Sequence, residues 1–382
     1  MSQPAPQEIP ASELEHELAS GSAVAVIDVR ERGDFESWHL DPGPAARLSN
    51  VPEHELEADP AASLEGVPAD VPVRVICNAG VTSRRVAGAL AALRPGVATV
   101  SGGMIGWSRV LASDPVPLPV PAQVVQFRRE ARGCLSYLVA RDGRALVVDP
   151  APDADPYLRE AEHMGASIVA VLDTHVHADH LSGARELAEQ AGAILHVSAA
   201  ALARGIRDAQ RFTPVADGER LQVGAEVRVL PLPGHTTDMI GLMVDGRALI
   251  AGDSLFADSV ARPDLEAGDI GAEDAARQLY RTLQTRVLTL PADTVVLPCH
   301  YPGGRVGGPI APTLAEARRA IPELDAGEDE FVRFLLGSMP PRPANYQQII
   351  AANLGESSDG EAAARLEVGA NNCAVSRARV GS

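Results

Sequence analysis

The segment Thr174-His175-Val176-His177-Ala178-Asp179-His180 places three imidazoles and a carboxylate within six positions. Donors of these two kinds delivered from one loop suit a borderline divalent metal. Three more segments carry the same donor types. GHTTD (234–238) brings His235, AGDSLF (251–256) brings Asp253 and LPCHYPGG (297–304) brings His300. Five of the ten histidines therefore fall in loops that follow apolar, strand-like runs. Seven donors are enough for one metal or for two. A metal so held can activate water or bind dioxygen, so hydrolysis and oxygenation both stay open at this point.

A second reactive group stands alone in the first third of the chain. Cys77 ends the apolar run VRVIC, is followed by NAGVT, and then by the helical SRRVAGALAAL. Gly80 lets the loop curl, and a helix N-terminus behind it aims backbone N–H groups at the sulfur, which favours the thiolate. Thr82 lies in this loop, and Arg84 and Arg85 add positive charge to it. The other cysteines, Cys134, Cys299 and Cys373, are widely spaced and form no CxxC pair, so neither a disulfide framework nor a thiolate zinc motif is suggested. Cys299 and Cys373 read as structural.

The elements that must position these groups divide into two halves. In SDPVPLPVPAQ (113–123) a proline recurs at every second position from Pro115 to Pro121, a pattern that continues neither a helix nor a central strand, and the domain boundary is placed there. Residues 1–112 alternate short β-rich runs (AVAVIDV, VRVIC, VATVS) with helical ones, which predicts a small parallel α/β sheet. The second half opens with CLSYLVARDGRALVVDP, where Asp142-Gly143 is a hairpin turn signal, and continues with strand-to-helix units such as IVAVLDTH and LSGARELAEQAG. A layered αββα arrangement is expected over residues 124–310, with 311–382 as a C-terminal extension packed on it. No internal repeat relates the halves.

Composition excludes several function classes. A chain of 382 residues suggests two hydrophobic cores, and no stretch of about 18 apolar residues is present to span a membrane. The formal net charge of −18 argues against a nucleic-acid partner. All basic residues are Arg, so chemistry that needs a P-loop lysine is excluded. The N-terminus lacks both the basic and the apolar segment of a secretory signal, and a cytoplasmic location is expected. A homodimer is allowed by the sequence but not indicated by it.

The first half resembles the rhodanese family over nearly all of residues 10–112. IDVR (27–30), with Phe35 and His39 after it, looks like its first strand and loop. CNAGVTSR looks like its active-site loop, and SGGMIGW (101–107) like its closing glycine-rich turn. The resemblance implies a persulfide carried on Cys77 and passed to a thiophilic acceptor such as sulfite, with Gly80, Thr82 and Arg84 around the substrate. Trp38-His39-Leu40 replaces the usual Gly-His-Ile, and Thr82 stands where many members have Arg; a loop without that Arg is expected to bind anionic sulfite or thiosulfate less strongly.

The second half resembles the metallo-β-lactamase superfamily in the identity and order of its donors. The resemblance implies one position built from His175, His177 and His235 and a second from Asp179, His180 and His300, bridged by Asp253. GDSLFADSVARPDLEAGD (252–269) is similar to the persulfide dioxygenase branch, whose Arg-x-Asp falls here on Arg262-Pro263-Asp264, and GHTTD fits that branch as well. That branch implies one Fe(II) per chain on His175, His235 and Asp253, with His177, Asp179, His180 and His300 supporting the ligands. It also implies a low-molecular-weight thiol persulfide (glutathione persulfide by default) and dioxygen as substrates, with sulfite and thiol as products. Arg262 is expected to steer a substrate carboxylate or, on the blander view, to pair with Asp264. The alternative is a glyoxalase II-like thioester hydrolase on two Zn(II).

Overall fold

The computed structural model describes residues 6–302, 308–343, 345–356, 365–367 and 373. The first sheet has five parallel strands, β1 (Gln7–Ile9), β2 (Ala25–Asp28), β3 (Arg47–Asn50), β4 (Val73–Ile76) and β5 (Val97–Val100), in the order β1-β5-β4-β2-β3. β2 and β4 are buried at all four positions, as parallel strands are when helices cover both faces. Alternate residues feed two cores. Val26, Ile76, Ala98 and Val100 join Trp38 and Trp107 on one side, while Ile27, Val73, Val75 and Cys77 meet Val86 and Leu90 on the other.

The second half holds two facing sheets. One contains β6 (Ala112–Val116), β7 (Gln123–Arg129), β8 (Cys134–Arg141), β9 (Arg144–Val148), β10 (Ser167–Leu172), β11 (Ile194–Ser198) and β12 (Thr213–Val215), ordered in space as in the chain. The other contains β13 (Arg220–Val223), β14 (Ala225–Pro231), β15 (Ile240–Val244), β16 (Ala248–Gly252) and β17 (Val295–Pro298) in the same manner. The period-2 pattern of β8 shows how the layers assemble. Leu135, Tyr137 and Val139 point into the space between the sheets, where they meet Val227, Val229, Leu242 and Ile250, whereas Leu138 and Ala140 pack under the helices Asp155–His163 and Ala184–Ala191. The helices Asp264–Thr282, Leu314–Ala320 and Glu328–Gly337 cover the far face of the second sheet through Leu279, Ala317 and Phe331. The result is the expected αββα sandwich with a C-terminal extension.

The β8–β9 turn uses Asp142 at φ 52° and Gly143 at φ 74°, the paired positive φ of a type I′ hairpin that the Asp-Gly signal predicts. The proline-rich segment departs from expectation. Its first residues form β6, an edge strand antiparallel to β7 that contains Pro115, so part of the segment assigned as a linker belongs to the seven-stranded sheet. An edge strand tolerates proline because one row of its N–H groups faces no partner.

The two halves touch through specific bonds. Trp38 Nε1 donates to the Ala131 carbonyl at 2.8 Å, and Arg129 Nε donates to the Ser108 carbonyl at 2.9 Å. None of the helices among the described residues is long and apolar enough to cross a membrane.

Candidate metal centre and sulfur-transfer loop

The carboxyl ends of β9, β10, β14, β16 and β17 lie on one edge of the sandwich, and each releases its donor there: Asp149, the 173–180 loop, His235, Asp253 and His300. Gly234, just before His235, has φ 148° and lies so close to Leu279 that a Cβ would collide with the helix. Only glycine lets the His235 loop settle into this packing.

Hydrogen bonds to one ring nitrogen fix the free lone pair on the other. Asp149 accepts from the Thr174 N–H (2.6 Å) and from the Thr174 hydroxyl (3.0 Å). That hydroxyl has given its only proton, so its 3.0 Å contact with His175 Nδ1 must be donated by the imidazole. His235 Nδ1 donates to the Arg262 carbonyl at 2.7 Å, and His177 Nε2 donates to Asp149 at 3.0 Å. The lone pairs left over are on His175 Nε2, His235 Nε2 and His177 Nδ1. All three atoms are buried without a hydrogen-bond partner, as is Asp253 Oδ2. Buried polar atoms with no partner are rare and costly, and a metal ion on His175, His235 and Asp253 would satisfy three of these four, His177 Nδ1 lying outside that donor cluster. His175 Nε2 and His235 Nε2 stand 3.9 and 3.5 Å from Asp253 Oδ2, and the three residues form one compact donor cluster.

A second cluster lies beside it. Asp179, His180 and His300 gather with Cys134, their donor atoms all within 4.8 Å of one another. His300 bridges the two groups, with Nδ1 donating to Asp253 Oδ1 at 2.6 Å and Nε2 2.8 Å from Asp179 Oδ2, off the line a hydrogen bond needs. Burial disfavours charge here, yet the charges support one another. The His180 imidazole is pushed up to about 10 against its burial by Asp179 and Cys134, and His300 is held well above the ordinary imidazole range by Asp179 and Asp253. Burial would raise the Cys134 thiol, but His180 outweighs it and brings the thiol down to about 6. His175 lies well below the imidazole range through burial and its neighbour His177, which keeps it a neutral ligand.

The loop backbone is clamped from outside. Asn353 Nδ2 donates to the carbonyls of His177 and His180 at 2.9 Å each, and the Glu367 carboxylate accepts from Leu181 N–H at 3.0 Å while pairing with Arg129 at 2.7 Å. Asp238 braces the same loop by accepting from Val176 N–H at 2.9 Å. The extension residues Asn353 and Glu367 thus secure the metal loop, although the sequence places them more than 170 positions away.

Arg262 requires a correction. Its guanidinium is buried and is held by Asp264 (2.7 and 3.1 Å) and by the Pro341 carbonyl (3.0 Å), and Arg342 completes the group on Asp264. The expected substrate-steering role gives way to the ion-pair reading, and Asp264 is likewise a partner of arginines rather than of substrate. What Arg262 offers the site is its carbonyl, which orients His235.

In the first half, the Cys77 sulfur accepts from the N–H groups of Gly80 (3.1 Å) and Ser83 (3.3 Å) and contacts Ser83 Oγ at 3.3 Å, with Thr99 donating to that hydroxyl at 2.8 Å. The predicted N–H cradle is therefore present. Gly103 (φ 56°) closes it from below, where a Cβ would strike the Cys77 carbonyl. Two sequence-predicted residues are elsewhere. Arg84 pairs with Glu8 at the surface (2.6 Å) and Arg85 with Glu53, while Thr82 is half-buried and Ser83 takes the place beside sulfur. Cys299 donates to Asp149 Oδ2 at 3.4 Å and Cys373 is buried against Ala178 and Leu265, consistent with structural thiols.

Comparison with known proteins agrees with this architecture. Residues 10–110 match the rhodanese-like domain model and residues 129–300 the metallo-β-lactamase superfamily model. The chain is a rhodanese-like domain followed by a metallo-β-lactamase superfamily domain. The metallo-β-lactamase domain is similar to a hydroxyacylglutathione hydrolase of Xanthomonas euvesicatoria pv. vesicatoria, 39% identical over 160 residues, which span 42% of this chain and 57% of that protein. It is also similar to the mitochondrial persulfide dioxygenase ETHE1 of Homo sapiens, 26% identical over 57% of this chain and 82% of the human protein. Among solved structures, ETHE1 from Myxococcus xanthus superposes with a TM-score of 0.52 at 28% identity, covering 60% of this chain and 96% of that one. A metallo-β-lactamase from Staphylococcus aureus gives 0.57 at 26%, covering 62% and 74%.

Proposed function

We propose that the metallo-β-lactamase domain is a persulfide dioxygenase with one Fe(II) on His175, His235 and Asp253, and that the rhodanese-like domain carries sulfane sulfur on Cys77. The observation that supports this most is the compact set of two imidazole nitrogens and one carboxylate oxygen, each without a protein partner. Two nitrogens and one carboxylate with positions left open is the donor set of non-haem Fe(II) oxygenases. Similarity to ETHE1 over 82% of the human protein supports the same reading.

Bound Fe(II) supplies open positions for the persulfide and for dioxygen. Persulfide, dioxygen and water give thiol and sulfite. Asp149, Thr174 and the Arg262 carbonyl hold the three imidazoles in the tautomers that present lone pairs. In the rhodanese-like domain the Gly80 and Ser83 N–H groups hold the Cys77 thiolate, whose sulfur attacks the sulfane sulfur of a donor and expels the donor thiolate; the sulfur then passes from the Cys77 persulfide to an acceptor. Sulfite made in one domain is a suitable acceptor for the other, giving thiosulfate.

The test is oxygen uptake by Fe(II)-reconstituted protein on addition of glutathione persulfide, with sulfite measured alongside. Uptake matched by sulfite is expected. A second reading is favoured by the 39% identity to the Xanthomonas hydrolase: hydrolysis of a hydroxyacylglutathione thioester on two zinc ions. Hydrolysis of that thioester without oxygen uptake would establish it instead.

A further inference from the structure

Two arginines outside both reactive sites, Arg129 and Arg132, are only 1% and 4% exposed and have no role in the chemistry above. They stand on the turn between β7 and β8, which closes where the Arg132 and Gly133 N–H groups donate to the Arg129 carbonyl at 2.9 and 2.7 Å. Bonds leave this turn in two directions. Toward the metal loop, Arg132 donates to the carbonyls of Asp179 and Glu367, and Arg129 Nη1 holds the Glu367 carboxylate oxygen that also accepts from Leu181 N–H. The Gly133 carbonyl accepts from Tyr301 N–H at 3.0 Å, beside His300. Toward the first half, Trp38 Nε1 donates to the Ala131 carbonyl at the tip of the turn, and Arg129 Nε donates to the Ser108 carbonyl.

The segments that receive these bonds in the rhodanese-like domain also support the Cys77 loop. Met104 N–H donates to the Cys77 carbonyl at 2.8 Å, and Ser108 N–H to the Met104 carbonyl at 2.9 Å. Arg30, paired with Asp28 at the end of β2, holds the Trp38 carbonyl at 2.7 Å. We infer that Arg129 and Arg132 are positioning residues through which the rhodanese-like domain holds the His175–His180 loop in its ligand-bearing shape. Three observations carry this. The Arg129 and Glu367 side chains are each 2% exposed, and separating a buried pair leaves an uncompensated charge, so the domain ends they join move together. A guanidinium offers five donors in a rigid fork, which lets Arg129 serve Ser108 and Glu367 at once. Trp38 occupies the position where the rhodanese resemblance expects glycine, a residue with no side-chain donor for Ala131, so this bond belongs to the fused chain. The metal domain is thus built to work with the rhodanese-like domain docked.

The inference rests on the 174–180 loop being a metal loop, as proposed above, but on neither the metal nor the reaction. Its test therefore reads the loop itself: amide hydrogen exchange at Leu181 in the metal-free, full-length protein, followed by retention of Fe(II) and of Zn(II) against a graded chelator. Trp38→Phe should speed exchange and weaken retention of both metals by about 2- to 10-fold, the factor that one neutral hydrogen bond represents. Arg129→Lys keeps a charge for Glu367 but gives up the fork that also reaches Ser108, and should act in the same direction. Val86→Ala is the control, because it loosens the core of the first domain on the face away from Trp38 and Trp107 and should leave loop exchange and metal retention unchanged. Wild-type exchange at Leu181 in Trp38→Phe would overturn the inference, as would an equal effect from Val86→Ala, which would mark general loss of stability. Should Trp38→Phe not fold, Arg129→Lys decides by the same two criteria. A wild type that retains neither metal would refute the metal-centre reading, while the exchange comparison would still decide whether the rhodanese-like domain holds the loop.

Discussion

Replacing Arg262 with Ala separates two ways in which an arginine can serve a metal centre. The guanidinium and the Asp264 carboxylate are 2% and 3% exposed and bonded at 2.7 and 3.1 Å. Removing one partner of a buried pair costs roughly 3–5 kcal/mol. Arg342 Nε stays on Asp264 Oδ2 at 2.6 Å and compensates part of that charge, so the low end, about 3 kcal/mol, is expected. For a domain of this size that is a fall in Tm of about 6–12 °C. The Arg262 carbonyl holds His235 Nδ1, and its backbone loses two of the anchors that fix that carbonyl, so metal affinity should drop about 10- to 100-fold. KM for the persulfide on residual iron-loaded enzyme should stay within error, because the guanidinium is used up by the protein. The assays are thermal melting, iron content after dialysis against a graded chelator, and oxygen-uptake kinetics. An unchanged Tm and iron content with a several-fold higher KM would refute the reasoning and return Arg262 to substrate steering.

Cys77→Ser should abolish sulfur transfer from a persulfide or thiosulfate donor while leaving oxygen uptake by the Fe(II)-loaded protein intact, and turnover of the donor by that variant would count against the Cys77 assignment. Ser83→Ala should cut sulfur transfer about 10-fold or somewhat more, since a single hydrogen bond to a charged group contributes about 1.5 kcal/mol or somewhat more; its N–H contact to sulfur remains, so a complete loss would indicate another role. Glu367 is a carboxylate that burial would raise but Arg129 holds below its ordinary 4.5. Its folded value is depressed, so its stabilisation is fully present above about 4.5 and fades as pH falls through the folded value. Acid unfolding of wild type against Glu367→Gln should therefore show a shallower acid limb in the variant, and parallel curves would contradict the buried pair.

What the sequence disclosed and what it hid follow from the range of the interactions. The His175–His180 loop, His235, Asp253 and His300 each stand where an apolar run ends, and an αββα sandwich brings strand ends to one edge, so local signals sufficed to assemble the cluster. The Cys77 cradle was legible for the same reason, because Gly80 and Ser83 lie within six residues of the sulfur. Cys134 was not legible. It is an isolated cysteine at the start of a strand, and only the β8–β9 hairpin register and its bridge to His300 carry it to Asp179, 45 positions later. Arg262 was misread because a local Arg-x-Asp does not reveal that Pro341 and Arg342 return from the extension to bury it. Pro115 marked a break in the pattern correctly, but an edge strand satisfies that mark as well as a linker does.

The site is also a case of coordination number deciding chemistry. The two donor clusters share a bridge, since His300 Nδ1 holds Asp253 Oδ1 at 2.6 Å while its other nitrogen faces Asp179. That bond fixes Asp253 Oδ1, and the free Asp253 Oδ2 faces His175 Nε2 and His235 Nε2, 3.9 and 3.5 Å away. In the proposed dioxygenase, iron on these three ligands would keep vacant positions because His300 stays on Asp253 as a support and not as a ligand. The hydrolytic alternative needs the opposite behaviour, two metals sharing a water across the bridging carboxylate. In a dioxygenase one iron per chain should then saturate oxygen uptake, and zinc added to the iron-loaded protein should leave that uptake unchanged. Zinc that instead competes with iron for the same positions would favour the two-zinc hydrolase.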